Sequence, residues 1–147
     1  MPIRNYGLKW KWSSSMYSGS TEGMWGRKST NSEPVNLRKQ IGIYTLERRG
    51  RIVYVGKAGT AKKMSIWDRM YSHHYEKKDK WDTFSWFGIL PVKSNRVIKM
   101  SNVTMPTSLL ISDIEALLIH LLHPKLNIAS GRSEGSPGET IMSKIVA

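Results

Sequence analysis

At 147 residues the chain is long enough for one domain with a real core and too short for two comfortable ones, and the absence of cysteine excludes disulfides, thiolate metal sites and a cysteine nucleophile. No apolar run reaches membrane-spanning length, the serine-rich N-terminus lacks the hydrophobic core of a signal peptide, and the cysteine-free composition suits a reducing cytosol, so a cytoplasmic location is expected. The net charge is +12, and the first 80 residues hold 17 of the 23 basic residues and 6 of the 11 acidic ones; such a skew is the footprint of a polyanion partner, most simply nucleic acid, although charge that only keeps a protein soluble gives the same total.

Residues 1–37 read as a basic, aromatic-bearing arm. Leu8-Lys9-Trp10-Lys11-Trp12 alternates with period two, placing Leu8, Trp10 and Trp12 on one face and Lys9 and Lys11 on the other. Such lysines can grip a phosphate backbone while rings stack on bases or wedge into a groove. For the tryptophans the favoured reading is an edge strand that covers the domain's flank, its lysines guarding the open edge. Ser13–Asn31, rich in Ser and Gly, is expected to be flexible.

Ile41–Leu46 and Ile52–Val55 are two short apolar runs separated by Glu47-Arg48-Arg49-Gly50-Arg51, a β-hairpin in which Gly50 takes the positive φ of the turn. Alternation sends Ile41, Ile43 and Thr45 to one side and Gly42, Tyr44 and Leu46 to the other, while Ile52, Tyr54 and Gly56 share a face. Tyr44 and Tyr54 are thereby expected to meet. Arg49 and Arg51 at the turn, with Lys57, Lys62 and Lys63 in the basic loop after it, are the nearest candidates for phosphate contact.

Ser65 can cap a helix over Ile66–Tyr75, with Asp68 at the capping-box position. Ile66, Arg69 and His73 then lie on one side, presenting a cation and a titratable ring to the same point; His74 is the alternative to His73. A charged connector leads to a third strand within Trp81–Leu90, closed by Pro91. Val92–Pro106 is a variable stretch. Ile111–His123 is the clearest helix: Ile111, Ile114, Leu118, Leu121 and Leu122 form an apolar arc, and Glu115 falls inside it. A carboxylate there is costly unless paired, hydrogen-bonded or bound to a cation, and a tyrosine hydroxyl would serve as well as a metal. His120 and His123 read as surface or helix-end residues. Residues 131–147 read as a flexible Gly/Ser-rich exit, with Ile141–Val146 as a short terminal element.

Gly42-Ile43-Tyr44 followed by Tyr54-Val55-Gly56 resembles the paired signature of the GIY-YIG nucleases, with Val55 in place of the second isoleucine. Arg69 and His73 on the next helix, Glu115 on a later one and Pro124-Lys125-Leu126-Asn127 after it match the rest of that pattern, over residues 38–130. The run Trp81–Gly88 is similar to small stand-alone bacterial members; a bacterial or phage origin is what this implies. The resemblance further implies an α/β (α+β) domain with a small central three-stranded antiparallel sheet flanked by helices. It implies a metal-dependent endonuclease hydrolysing phosphodiester bonds in nucleic acid, double-stranded DNA foremost. The catalytic set would be Tyr44, Tyr54, Arg69, His73, Glu115 and Asn127. Glu115 would anchor a divalent metal, Mg²⁺ with Mn²⁺ able to substitute. In such chemistry a phenol near pKa ~10 is a poor base unless cations depress it, a task open to Lys57, Arg69 and the metal; either tyrosine fits the role of base. Asn127 fits either the orientation of a catalytic group or the stabilisation of the loop after the helix. Non-catalytic binding to nucleic acid, alone or within a larger nucleoprotein assembly, is the alternative.

Overall fold

In the computed structural model, residues 3–18, 20–59, 64–93, 96–97 and 105–129 are described. In chain order these form β1 (Asn5–Trp10), α1 (Trp12–Ser15), β2 (Tyr17–Ser18), β3 (Thr21–Glu22), β4 (Trp25–Gly26) and β5 (Val35–Asn36). The tyrosine hairpin is β6 (Gly42–Arg48) and β7 (Arg51–Ala58), followed by α2 (Ile66–Glu76) and β8 (Thr83–Gly88). Then come β9 (Val92–Lys93), β10 (Arg96–Val97), α3 (Met105–Leu122) and α4 (Lys125–Ala129). No helix among the described residues is long and apolar enough to cross a membrane. Lys62, Lys63 and the terminal stretch with Ile141–Val146 lie outside the described residues.

The chain is mixed α/β, and its principal sheet is antiparallel with four strands in the order β1-β8-β6-β7. The expected count of three is corrected by β1, which pairs along β8 and leaves β7 as the opposite edge. The hairpin closes tightly: Arg48 faces Arg51, leaving Arg49 (φ 50°) and Gly50 (φ 77°) as a two-residue loop. Positive φ at both positions is the backbone of a type I′ turn, whose twist matches that of the strands. One residue further in, the register slips between Leu46↔Tyr54 and Glu47↔Ile52, with Val53 the extra residue. This bulge sends Ile52 to the face of Glu47, not to that of Tyr54 as plain alternation predicts.

Each face of the sheet carries a core. On one, Tyr44, Leu46, Tyr54, Ala58, Phe84 and Trp86 pack with Ile66, Trp67 and Met70 of α2; on the other, Ile43 and Val55 pack with Ile111 of α3. α2 is held at its start by a capping box: Ser65 Oγ accepts from the Asp68 amide at 3.1 Å, and Asp68 Oδ2 accepts from the Ser65 amide at 2.8 Å. α3 begins six residues before the expected start, because Pro106 sits in its first turn, where a missing N–H costs no helical bond.

The first 37 residues feed the same core. Met16, Met24, Val35 and Leu37 are buried in the α2-side cluster, and β4 and β5 join β9 and β10 in a second small sheet. The segment expected to be flexible is thus anchored by two methionines. The period-two reading of residues 8–12 is corrected: Lys9 adopts φ 54° and β1 bulges between Gly7 and Trp10. Leu8 is left exposed, while Trp10 turns onto the sheet, edge-on to Trp86 at 5.3 Å and to Phe84 at 6.2 Å.

At the far end of the α3-side face, the Glu47 carboxylate is buried with three hydroxyl donors. Ser85 reaches Oε1 at 2.5 Å, Thr45 reaches it at 3.0 Å, and Thr83 reaches Oε2 at 2.7 Å. Hydroxyls converging in this way replace the water that burial removes. Gln40 plays a similar part at the other end, its Oε1 accepting from the amides of Leu90 at 2.9 Å and Ile41 at 3.1 Å.

A Cβ at Gly50 would meet nothing within 4 Å, so any cost of adding one there is conformational. We predict that Gly50→Ala lowers unfolding free energy by about 1–2 kcal/mol through the left-handed penalty alone, read by chemical denaturation.

Candidate active site

The site is assembled around the pairing of Tyr44 with Gly56. A Cβ at Gly56 would lie 2.4 Å from the Tyr44 ring and hydroxyl and 2.8 Å from the Tyr54 ring. Without it, Tyr44 lies across the neighbouring strand beside Tyr54, ring centroids 6.1 Å apart and 29° from parallel. From α2, His73 closes the group, its ring 4.9 Å from that of Tyr54, with Nε2 2.8 Å from Tyr44 Oη. The direction of that hydrogen bond follows the imidazole tautomer. His74 points elsewhere, stacked on Trp12 at 4.2 Å and 3°. The two adjacent histidines are thereby separated: His73 belongs to the tyrosines.

Tyr44 is 1% exposed, and burial pushes its phenol well above the ordinary value of 10.0. The neighbouring Tyr54 and the Glu115 charge push the same way, while the Arg69 charge pulls against them. Desolvation outweighs the depression that the Arg69 charge alone exerts on the phenol. One consequence follows for stability: the protonated phenol favours the fold below pH ~10, and that contribution is lost as pH rises through the raised folded value.

Arg69 stands one turn before His73 and is half-buried; its Nε has no hydrogen-bond partner among the described residues. Glu115 lies on the other side of the sheet, buried on α3 as its place in the apolar arc predicts. Its carboxylate is balanced by Lys57, with Nζ 2.9 Å from Oε2 and 3.2 Å from Ser112 Oγ. Lys57 was expected beside the tyrosines as a phosphate contact; alternation instead puts it on the α3-side face, in an ion pair. Glu115 is nonetheless electrically coupled to Tyr44. β7 is the outer strand of the sheet, with one side left as an edge.

Asn127 holds that edge. Fully buried, it accepts at Oδ1 from the Val55 amide at 2.8 Å and donates from Nδ2 to the Val55 carbonyl at 2.9 Å. Both bonds fall where a further strand would pair, so the carboxamide completes the ladder at one residue and ties α4 to β7. Of the two uses open to Asn127, the structure displays the stabilising one.

The remaining predicted contacts do not form one patch. Arg49 and Arg51 are exposed at the hairpin tip, and the Arg49 amide donates to Asp82 Oδ2 at 2.9 Å. Lys9 lies on the opposite edge strand; Lys11 is exposed immediately before Trp12. Among the described residues no group of three or more His, Asp or Glu side chains converges. A single buried carboxylate still suits a hard divalent ion that keeps most of its waters. The 31% exposed Lys57 side chain can withdraw toward solvent as such a cation takes over its charge. Glu115 is the residue that would hold it. Sequence reasoning missed the carboxylate of Glu47 and the Lys57 partner of Glu115; the alternation Thr45/Glu47 and Val55/Lys57 carried the signal for both.

Comparisons with models of protein families, with curated proteins and with solved structures found no match to this chain.

Replacing Asn127 by Ala strands a buried amide and a buried carbonyl on β7. We predict a loss of about 2–4 kcal/mol in stability, measured by chemical denaturation, against little change for an exposed-site control such as Asp113→Ala.

Proposed function

We propose that this protein is an endonuclease of the GIY-YIG type, hydrolysing phosphodiester bonds in nucleic acid with the aid of a divalent metal. The observation that carries this reading is the convergence on one hydroxyl. Tyr44 from the hairpin bonds His73 from α2 at 2.8 Å and stacks beside Tyr54, with Arg69 one turn before His73 on the same helix. A hydroxyl used only to fill the core has no need of a hydrogen-bonded imidazole and a partly unsatisfied arginine one turn apart on the neighbouring helix. The concentration of basic residues in the first 80 positions supports a polyanionic substrate.

Hydrolysis needs a water relieved of its proton, charge neutralised on the phosphate, and support for the leaving oxygen. Tyr44 keeps its own proton in the neutral pH range, so it serves as a relay. Its oxygen accepts the water's proton as its hydroxyl proton passes to His73 Nε2. Tyr54 lies stacked beside Tyr44 and edge-on to His73, so it fixes their spacing. Arg69 offers its guanidinium fork to a non-bridging phosphate oxygen, and its unsatisfied Nε gains a partner as it does so. A divalent ion, when held by Glu115, supplies Lewis-acid stabilisation of phosphate charge.

Three substitutions test the assignment in single-turnover cleavage. Tyr44→Phe is expected to slow cleavage about 10²–10⁴-fold, the range for a lost acid–base group, while folding is retained. Arg69→Ala should cost on the order of 10²–10³-fold through lost charge stabilisation. Glu115→Gln should abolish metal-dependent turnover with nucleic-acid binding largely intact. Parent-like rates in all three would remove the site from the chemistry, and binding by the parent with no cleavage would favour a non-catalytic module.

A further inference from the structure

One face of α2 is not used by the tyrosine site. Trp67, Tyr71 and Tyr75 recur every four residues along it, and His74 lies beside them. Their rings form a continuous strip. Trp67 and Tyr71 are 5.3 Å apart, Tyr71 and Tyr75 are 5.0 Å apart, and Trp12 from the N-terminal segment stacks on His74 and lies 6.1 Å from Tyr71.

The inner end of the strip is core, since Trp67 is buried. The outer end is not: Tyr71 is 39% exposed and Tyr75 is 66% exposed. Cations border it. The Arg38 guanidinium lies 4.3 Å over the Trp67 ring, Lys11 and Lys78 are exposed in the chain beside Trp12 and after Tyr75, and Lys77 Nζ is 5.6 Å from the Tyr54 ring. His73 of the tyrosine site and His74 of the strip are neighbours on the same helix.

We propose that this strip binds unpaired nucleobases, so that the strand delivered to the tyrosine site is single-stranded or locally melted; the inference rests on the nuclease reading for its second half only. Exposed rings fixed in place and flanked by cations are what a single strand requires, with stacking for the bases and charge for the phosphates. A duplex buries its base faces in its own stack, whereas unpaired bases can stack on single exposed rings such as Tyr75. Clamping the N-terminal segment accounts for Trp12 and His74. It does not account for Tyr75, whose ring extends past that contact into solvent. This narrows the duplex substrate that the family resemblance implies.

The test is fluorescence anisotropy in EDTA, which separates binding from cleavage, using a labelled oligothymidylate and a duplex of the same length. Tyr75→Ala should weaken oligothymidylate binding by roughly five-fold or more, the low end for loss of one stacked base, and change duplex binding by less than about two-fold. Tyr75→Phe should bind like the parent, because the ring and not the hydroxyl does the stacking. Equal weakening on both ligands, or no weakening on either, would overturn the proposal, as would a Phe variant as weak as the Ala variant. A separate lane with Mg²⁺ keeps the two readings apart. Base binding through Tyr75 without any cleavage would leave the strip in place and remove the nuclease reading.

Discussion

The absence of a side chain at Gly56 is the constraint on which the site depends. Tyr44 faces that position across the hairpin, and only an empty position lets its ring lie over β7 beside Tyr54. From there the hydroxyl reaches His73, and His73 is where it is because the Ser65–Asp68 box sets the start of α2 and Ile66 and Met70 bury its inner side. The type I′ turn at Arg49-Gly50 and the extra residue Val53 together set the register that puts Gly56 opposite the tyrosine; the turn alone would put Val55 there. A shift of one residue would place Val55 or Lys57 there and send the tyrosine's partners to the wrong face.

Burial and charge then set what the side chains can do. Tyr44 is so well desolvated that its phenol stays protonated, which suits it to pass a proton to its imidazole partner and not to act as a free phenolate. Glu115 is also buried, in an ion pair with Lys57 on the same side of the sheet. Asn127 closes the β7 edge between these two arrangements, so the strand that links them is not free to pair with another chain. In the proposed chemistry the rigid hairpin carries the relay, while the more exposed Lys57 gives way to a cation.

Much of this was legible in the sequence because two periodicities governed it. Alternation in Gly42–Leu46 gave the shared face of Tyr44 and Tyr54, and the helical repeat gave both the Arg69–His73 pair and the burial of Glu115. What was not legible came from departures from those periods. A lysine with positive φ announces nothing, so the bulge at Lys9 hid the reversal of Leu8 and Trp10. The extra residue Val53 likewise moved Ile52 to the other face. The partner of Glu115 lay 58 residues upstream, on a strand whose charged residue read as a surface cation. The fourth strand was visible as an edge-strand pattern, but its place beside β8 depended on pairings as distant in sequence as Asn5 with Gly88 and Trp10 with Phe84, which no local window reports.

The most direct measurement of the account is incubation of the full chain with a circular single-stranded DNA and a supercoiled plasmid, with Mg²⁺ and in parallel with EDTA. Metal-dependent cleavage is predicted, with the single-stranded circle converted to linear and shorter products, the plasmid cut more slowly at its melted regions, and both left whole in EDTA. Intact circles of both kinds in Mg²⁺, from protein that demonstrably binds them, would contradict it.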